Sequence, residues 1–533
     1  MKNMKKISII ALALAVLVSF GCSKDYLDTY PTSSTSPGTI FESTDAAAVA
    51  VNGLNKLMRR QYGAYGQGYN GEGTVRLYVG DYLGANLMKG NSTSFLNSAN
   101  GNLYVSNTSS LGGYSWYYYY MVIGNANTLI KNIDEAEGTD GDRAYIKAQA
   151  LCYRAYCYFN LVQIFGRRWS DGSDKPSCVL RLTGDEPDNL DRATSGEVYA
   201  QIYADLDEAI SLFNKSGKAN SRRDGYTMDL DVAYAIYARV ALTREDWNNA
   251  LKYAQLARKD YPLQSVADEK AGFCNPTSEW IWYQYGAEDE TLYYYDYFAY
   301  AAYNAAASTV RNYPLLISRQ LFDKIPATDI RRAWWLDPAG YEGQFNTNTM
   351  KANAQSSKNK LWVYGQDYAT QEGRAGILSN SCVFAYMNFK ISNFAQPGIG
   401  HLCLFRASEM LLIEAEALYN IGGKEDEVRA LLVELNQTSG RDPAYTCTKA
   451  GAELMNEIKL YRGIELWGEG FNWFDLKRWG DSIDRKKASQ GGNWLSSYAG
   501  TFGKNDKNNW TWNIPRNETD YNKGITKITN TDD

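Results

Sequence analysis

Histidine is almost missing from this chain: His401 is the only one among 533 residues. Most hydrolytic and metal-dependent chemistries set a histidine against a positioned partner, so a single one beside Gly400 reads as a structural side chain. No GxSxG, HExxH or phosphate-cradling glycine loop occurs, which removes the motif-borne routes to acyl transfer, zinc proteolysis and nucleotide hydrolysis. Carboxylate-pair catalysis of the glycosidase kind has no positive support either, although Asp and Glu are plentiful. The eight cysteines show no CxxC or Cys/His spacing, so neither a zinc site nor a dense disulfide framework is implied. Cys152 and Cys157, five apart on a predicted helix, point to different faces and are not expected to bridge. Long apolar runs are absent beyond Ile7 to Phe20, and that run falls short of the roughly 20 residues of a membrane span. Positive charge is not in excess: 55 Lys and Arg stand against 60 Asp and Glu, a net charge of −5 with scattered basic residues. Nucleic acid is therefore not expected as a partner.

What is present begins with Lys2, Lys5 and Lys6, the apolar run, Gly21 and Cys22. Residues 1–21 read as a cleaved secretory signal peptide. A small residue directly before a cysteine resembles the processing site of bacterial lipoproteins, in which that cysteine becomes the acylated (palmitate-bearing) N-terminus. Ser19 and Phe20 depart from the usual box, and an ordinary signal peptide with an unmodified Cys22 is the alternative. Acyl burial contributes about 0.8 kcal/mol per methylene, and more than one chain is needed for a stable hold.

The chain holds 42 Tyr and 14 Trp against 17 Phe. Such side chains offer a flat apolar face with a polar tip, suited to stacking on a sugar ring while hydrogen-bonding its rim; the alternative for any one of them is helix packing. A helix is predicted from Thr44 or Asp45, then helices over Ser115 to Glu137, Arg143 to Phe165, and Ser195 to Phe213, the last capped by Thr194 or Ser195. Asp229 to Pro262 reads as two short helices around a turn at Arg244 to Asp246, with small residues at Ala238, Ala250, Ala254 and Ala257, and resembles a tetratricopeptide repeat. A weaker echo spans Arg406 to Gly440. Pairs of this kind bury their apolar faces by stacking on neighbours. Two irregular regions, 63–113 and 286–400, are where a site is sought, because long unpatterned stretches in compact domains usually carry function. Between them EWIWYQYG reads as a strand, with Trp280 and Trp282 in the core.

Several segments together resemble the SusD/RagB family of outer-membrane nutrient-binding lipoproteins. They are the opening CSKDYLDTYPTSS with IFESTDAAAVAVNGLNKLM, the helix IKAQALCYRAYCYFNLVQIFG, then RATSGEVYAQIYADLDEAI, LFRASEMLLIEAEAL, RGIELWGEGFNWFDLKRWG and WNIPRNETDYN. They run in order along the whole chain. Gly463 and Trp467 depart from the family's usual run, which bears on local packing, with Leu466, Phe471 and Trp473 turned inward. The resemblance implies a mainly α fold: a tetratricopeptide-like helical superhelix of four units, with a large loop-rich insertion forming the ligand face, in one domain over 22–533. It also implies a non-catalytic protein on the exterior of the outer membrane, which captures oligosaccharides, or peptides, and delivers them to a TonB-dependent barrel transporter of SusC type. No cofactor is implied, and a structural calcium, which the family tends to carry, cannot be placed on residues here.

Within the two regions to which the family's contacts map, Arg76 and Asp81 are the hydrogen-bonding candidates, Asn86 a bidentate amide, and Tyr104, Tyr294 and Tyr297 the stacking rings. The alternative for each is a solvated loop charge or a packed ring. Three functions stay open: glycan capture, peptide capture on the same architecture, and a surface glycosidase.

Overall fold

The computed structural model describes residues 40–66, 68–90, 97–218, 224–286 and 297–529. Cys22 and Tyr294 lie outside them. Helix α1 (Thr44–Leu57) starts where the Ser43 hydroxyl accepts the Ala46 N–H, and Ala47, Val51 and Leu54 form its buried stripe at helical spacing. Next come α2 (Ser110–Asn132), starting five residues ahead of the expected Ser115, and α3 (Asp140–Phe165). From Ala144 onward α3 is buried on nearly every face, which makes it the spine of the core. Helix α4 (Ser195–Ser216) opens on a capping box in which Thr194 and Glu197 satisfy each other's backbone N–H, and it stops at left-handed Gly217. The predicted repeat is the pair α5 (Leu230–Thr243) and α6 (Trp247–Arg258), capped by Asp229 and Asp246. Tyr237 and Tyr253 stack across it with centroids 3.9 Å apart.

Strand β1 (Leu87–Lys89) pairs antiparallel with β3 (Leu315–Ile317), and β2 (Trp280–Gln284) with β4 (Leu402–Arg406) across an irregular register at Trp282. The insertion between β2 and β4 is mostly loop and short helix, with one longer helix, α7 (Lys360–Gln371). The echo folds as α8 (Ala407–Ile421) and α9 (Glu425–Val433), followed by α10 (Gly451–Glu465) and α11 (Asn472–Trp479). A last antiparallel pair joins β5 (Ile483–Arg485) to β6 (Gly500–Phe502). Consecutive helices pack as α2 on α3, α3 on α4, α5 on α6 and α8 on α9, and the pairs stack through α4 with α5 and α6 with α8. This is a mainly α, tetratricopeptide-like superhelix.

Region 63–113 is more regular than its composition implies. Val75–Asp81 is a seven-residue π-helix whose side chains, apart from Tyr78, are buried, and it packs against α11.

A buried ion network ties the insertion to the helices. The Glu465 carboxylate receives Arg331 at 2.8 Å, Arg406 at 2.7 Å and Arg441 at 3.2 Å, while Arg406 also reaches Glu279 and Glu469, each at 2.7 Å. Burial alone would raise Glu465, but the three guanidiniums outweigh it and hold the carboxyl well below the usual range. The end of the chain closes on its beginning. Trp512 N–H donates to the Ile164 carbonyl at 3.0 Å, Asn513 N–H to Tyr104 at 2.9 Å and Arg516 N–H to Asn107 at 2.8 Å. Arg485 donates to the carbonyls of Leu83 at 2.7 Å and Gly84 at 2.9 Å. The seven cysteines among the described residues are free.

Candidate functional site

A backbone bridge between Gln61 and Asn70 and a tight turn at Gly63–Tyr65 fold this stretch back on itself. That places Tyr65 and Tyr69 against Tyr114 of α2, with ring centroids 5.5 and 5.0 Å away. Tyr114 is fully buried, Tyr65 and Tyr69 half-buried, and Tyr117, 5.7 Å from Tyr65, is 47% exposed. The tyrosines thus grade from core to solvent, so the outer rings are held in place by the inner ones. Burial raises the hydroxyl pKa of Tyr65 and Tyr69, which therefore stay protonated donors at neutral pH.

Beside these rings opens a cleft of about 320 Å³ lined by Gly68, Tyr69, Thr74, Tyr78, Asn97, Ser98, Leu103, Ser110 and Leu111. Thr74 fixes its floor, donating to the Gly68 carbonyl at 2.7 Å and accepting the Asn70 N–H at 2.8 Å. Gly68 has φ +85°, and a Cβ there would lie 2.9 Å from the Tyr300 hydroxyl, so the turn needs glycine on both counts. Tyr300 belongs to the insertion. Close by, Lys89 of β1 donates to Thr309 at 3.1 Å and lies 5.9 Å from the Tyr300 ring centre, and burial lowers its amine to about 7. The two irregular regions therefore meet here. Flat ring faces edged by an amide and hydroxyls suit a ligand made of hydroxyl-bearing rings.

The structure gives four of the sequence-derived candidates a different task. Arg76, Asp81, Tyr104 and Tyr297 are 6%, 1%, 3% and 4% exposed. Arg76 donates to the carbonyls of Cys403, Leu404 and Glu469 at 2.9–3.0 Å. Asp81 accepts the Gly470 N–H at 2.8 Å, and Tyr297 donates its hydroxyl to Gly468 at 2.6 Å. All three thus grip the one turn, Gly468 to Gly470, that leads into α11. The ring of Tyr104 packs between Trp512 and Trp473, with centroids 5.9 and 6.5 Å away. Arg76, Asp81 and Tyr297 are framework because their polar atoms are spent on backbone groups 171 to 393 residues away, and Tyr104 because its ring is packed, which a loop residue read in isolation does not disclose. Asn86 is half-buried and lines, with Asp81, a separate cavity of about 470 Å³ walled by Trp467, Phe471 and Trp479. Tyr65 and Tyr69 are not among the sequence-derived candidates. The signal for them is tyrosine set among Gly and Gln (QYGAYGQGYNGEG), which marks a ring on a tight turn rather than in a helix stripe.

His401 accepts the Gly286 N–H on Nδ1 at 3.0 Å. Burial and the nearby Arg59 lower it to about 4, so it is a neutral acceptor in the wall of the insertion. Among the described residues, no group of three or more His, Cys, Asp or Glu side chains is arranged to hold a metal ion, and no helix is long and apolar enough to cross a membrane.

Residues 25–242 match the family model SusD-like, described as starch-binding and associating with the outer membrane, and residues 253–530 match that of the SusD family itself. A SusD-like protein P2 of Formosa agariphila is 24% identical over 500 residues, spanning 89% of this chain and 91% of its own. A SusD-like carbohydrate binding protein from Bacteroides vulgatus superposes with a TM-score of 0.73 at 22% identity, over 91% of this chain and 98% of its own. A SusD superfamily protein from Bacteroides thetaiotaomicron gives 0.68 at 20%, over 91% and 99%.

Proposed function

The chain belongs to the SusD family, and on that footing we propose that it captures oligosaccharides at the outer face of the outer membrane and passes them to a SusC-type, TonB-dependent barrel, without catalysing their conversion. Tethering through an acylated Cys22, with 1–21 removed and 22–533 as one body, completes the reading. The observation that carries it is the tyrosine-walled cleft at 68–111, where half-buried Tyr69 and Tyr78 stand beside Asn97 and Ser110. Sugar rings stack through their C–H faces and hydrogen-bond through their rims, and this lining supplies both. The carbohydrate named for the Bacteroides vulgatus relative and the starch named in the family description point the same way.

The test uses protein lacking residues 1–22 on an array of glycans and peptides. Glycan binding is expected. For the best-bound glycan, titration calorimetry should show Tyr69→Ala with Tyr78→Ala weakening affinity by about tenfold or more, since each lost stacking contact is worth on the order of 1 kcal/mol. Binding to peptides alone would overturn the ligand class, and unchanged glycan affinity in the double variant would overturn the cleft.

A further inference from the structure

A second pocket, sharing no lining residue with the tyrosine cleft, lies where the chain leaving α3 meets α11 and the segment 504–510. It measures about 160 Å³ and is lined by Arg167, Arg168, Asp171, Lys477, Lys504, Asn505, Asn509 and Trp510. Four of these side chains are cations and one is a carboxylate. Asp171 is engaged bidentately by Arg168, whose Nε and Nη2 donate at 2.5 and 3.1 Å, and Lys504 approaches it at 3.2 Å. Against this one carboxylate the lining sets Arg167, Arg168, Lys477 and Lys504. Asp481 and Glu245 also act on Arg168 from outside the lining; the first pairs with Lys459 at 2.6 Å and the second accepts from Ser170.

Such a concentration of one sign is unusual in a chain whose net charge is −5. Lys477 is 6% exposed, with two of its three ammonium hydrogens on the carbonyls of Gln163 at 2.6 Å and Gly166 at 2.8 Å. Burial lowers its amine to about 7, so the ammonium form is costly there and an anion bound beside it would favour it. The facing wall is unusual in its backbone. Asn508, Asn509 and Trp510 are three successive non-glycine residues at φ +63°, +52° and +55°, a conformation that costs each of them energy and gathers at ligand clamps. The wall is pinned by Trp510 Nε1 donating to Gly503 at 2.9 Å and by the Asn508 amide donating to Thr511 and Asn513 at 2.9 and 2.8 Å.

The geometry points to an oxyanion site here: the pocket binds a sulfate, phosphate or carboxylate group, either free or borne on a sugar, between Arg167, Lys477 and Lys504. The volume is about five times the roughly 30 Å³ share of one water, room for a tetrahedral oxyanion and part of the ring that carries it. Arginine and lysine donate charge-assisted hydrogen bonds to such groups, and the Asn505 and Asn509 amides add neutral ones.

The test is titration calorimetry on the mature chain at constant ionic strength, with potassium sulfate, inorganic phosphate, glucuronate and neutral glucose as probes and chloride as the balancing ion. Saturable 1:1 binding of sulfate or phosphate is expected, weakened about tenfold or more in Lys504→Ala and in Arg167→Ala. Both side chains can be removed without touching the carbonyls that Lys477 holds, and a far-ultraviolet spectrum with thermal midpoint confirms that each variant is folded. Glucuronate binding more tightly than sulfate would assign the site to an anionic sugar; the reverse order would assign it to the free ion. Tyr69→Ala with Tyr78→Ala should leave the sulfate isotherm unchanged, which separates this site from the tyrosine cleft. No saturable heat with any oxyanion, or equal affinity in wild type and both folded variants, would overturn the proposal.

Discussion

Asp81 shows what a buried carboxyl does when the donor facing it is a backbone N–H. Burial raises its carboxyl to about 7, with the Gly470 N–H opposing. The ordinary carboxylate titrates near 4, so between about 4 and 7 the folded state holds a proton that the unfolded state has released. Stability from this group is therefore fully present below about 4 and lost as pH rises to 7. Asp81→Asn keeps an acceptor for Gly470 and removes the titration. Unfolding in denaturant across that range should show the pH slope of wild type flattened in the variant. Gly80, its neighbour, has no room for change, since a Cβ would come within 2.1 Å of the Gly470 carbonyl. Gly80→Ala should lower the thermal midpoint by about 1–3 °C, for about 1–3 kcal/mol of overpacking strain.

The helices show how local and distant information divide. Thr194 and Glu197 complete a capping box at the position the sequence marks, and Asp229, Asp246 and the small residues of α6 stand as the repeat pattern requires. Such features depend on neighbours three or four positions away, so they are legible in one sequence. The task of Arg76 is not, because its partners at 403, 404 and 469 belong to other elements. The same holds for Val75–Asp81, a π-helix pressed against α11 within a glycine- and asparagine-rich stretch that carries no helical signal of its own. The region that holds the cleft is marked in the sequence by its irregularity; which of its tyrosines are left partly open is not, since that depends on which rings α2 covers. Two substitutions separate the local from the distant kind. Thr194→Ala removes one cap and should cost about 1 kcal/mol. Asp205→Ala breaks a bidentate pair in which Arg154 donates at 2.8 and 2.6 Å between α3 and α4. It leaves a guanidinium 7% exposed without its partner and should cost about 3–5 kcal/mol. Chemical denaturation of both variants gives the comparison directly.

At the scale of the whole molecule, the two family matches divide the chain near residue 250, but the structure does not divide there. Helix α6 straddles that boundary, α5 before it packs on both α6 and α8, and residues 485 and 512–516 complete hydrogen bonds of the segment 83–107 and of α3. Separately expressed 40–242 and 253–529 should each keep helical far-ultraviolet signal but lose near-ultraviolet signal and a cooperative melt; a sharp transition in either fragment would show an autonomous domain. The ion network around Glu465 works at this scale too, joining Arg331 of the insertion, Arg406 of β4 and Arg441 after α9 to the end of α10. Glu465→Gln should therefore loosen the insertion and the helices together, seen as faster hydrogen exchange in both.

The grip of Arg76, Asp81 and Tyr297 on the turn at 468–470 has a temporal side. A chain made from its N-terminus has its first eighty residues in hand long before the turn that satisfies them exists, and the carbonyls that Arg485 caps at 83 and 84 wait longer still. Closure across some four hundred residues is slow, so these bonds are among the last of the fold to form.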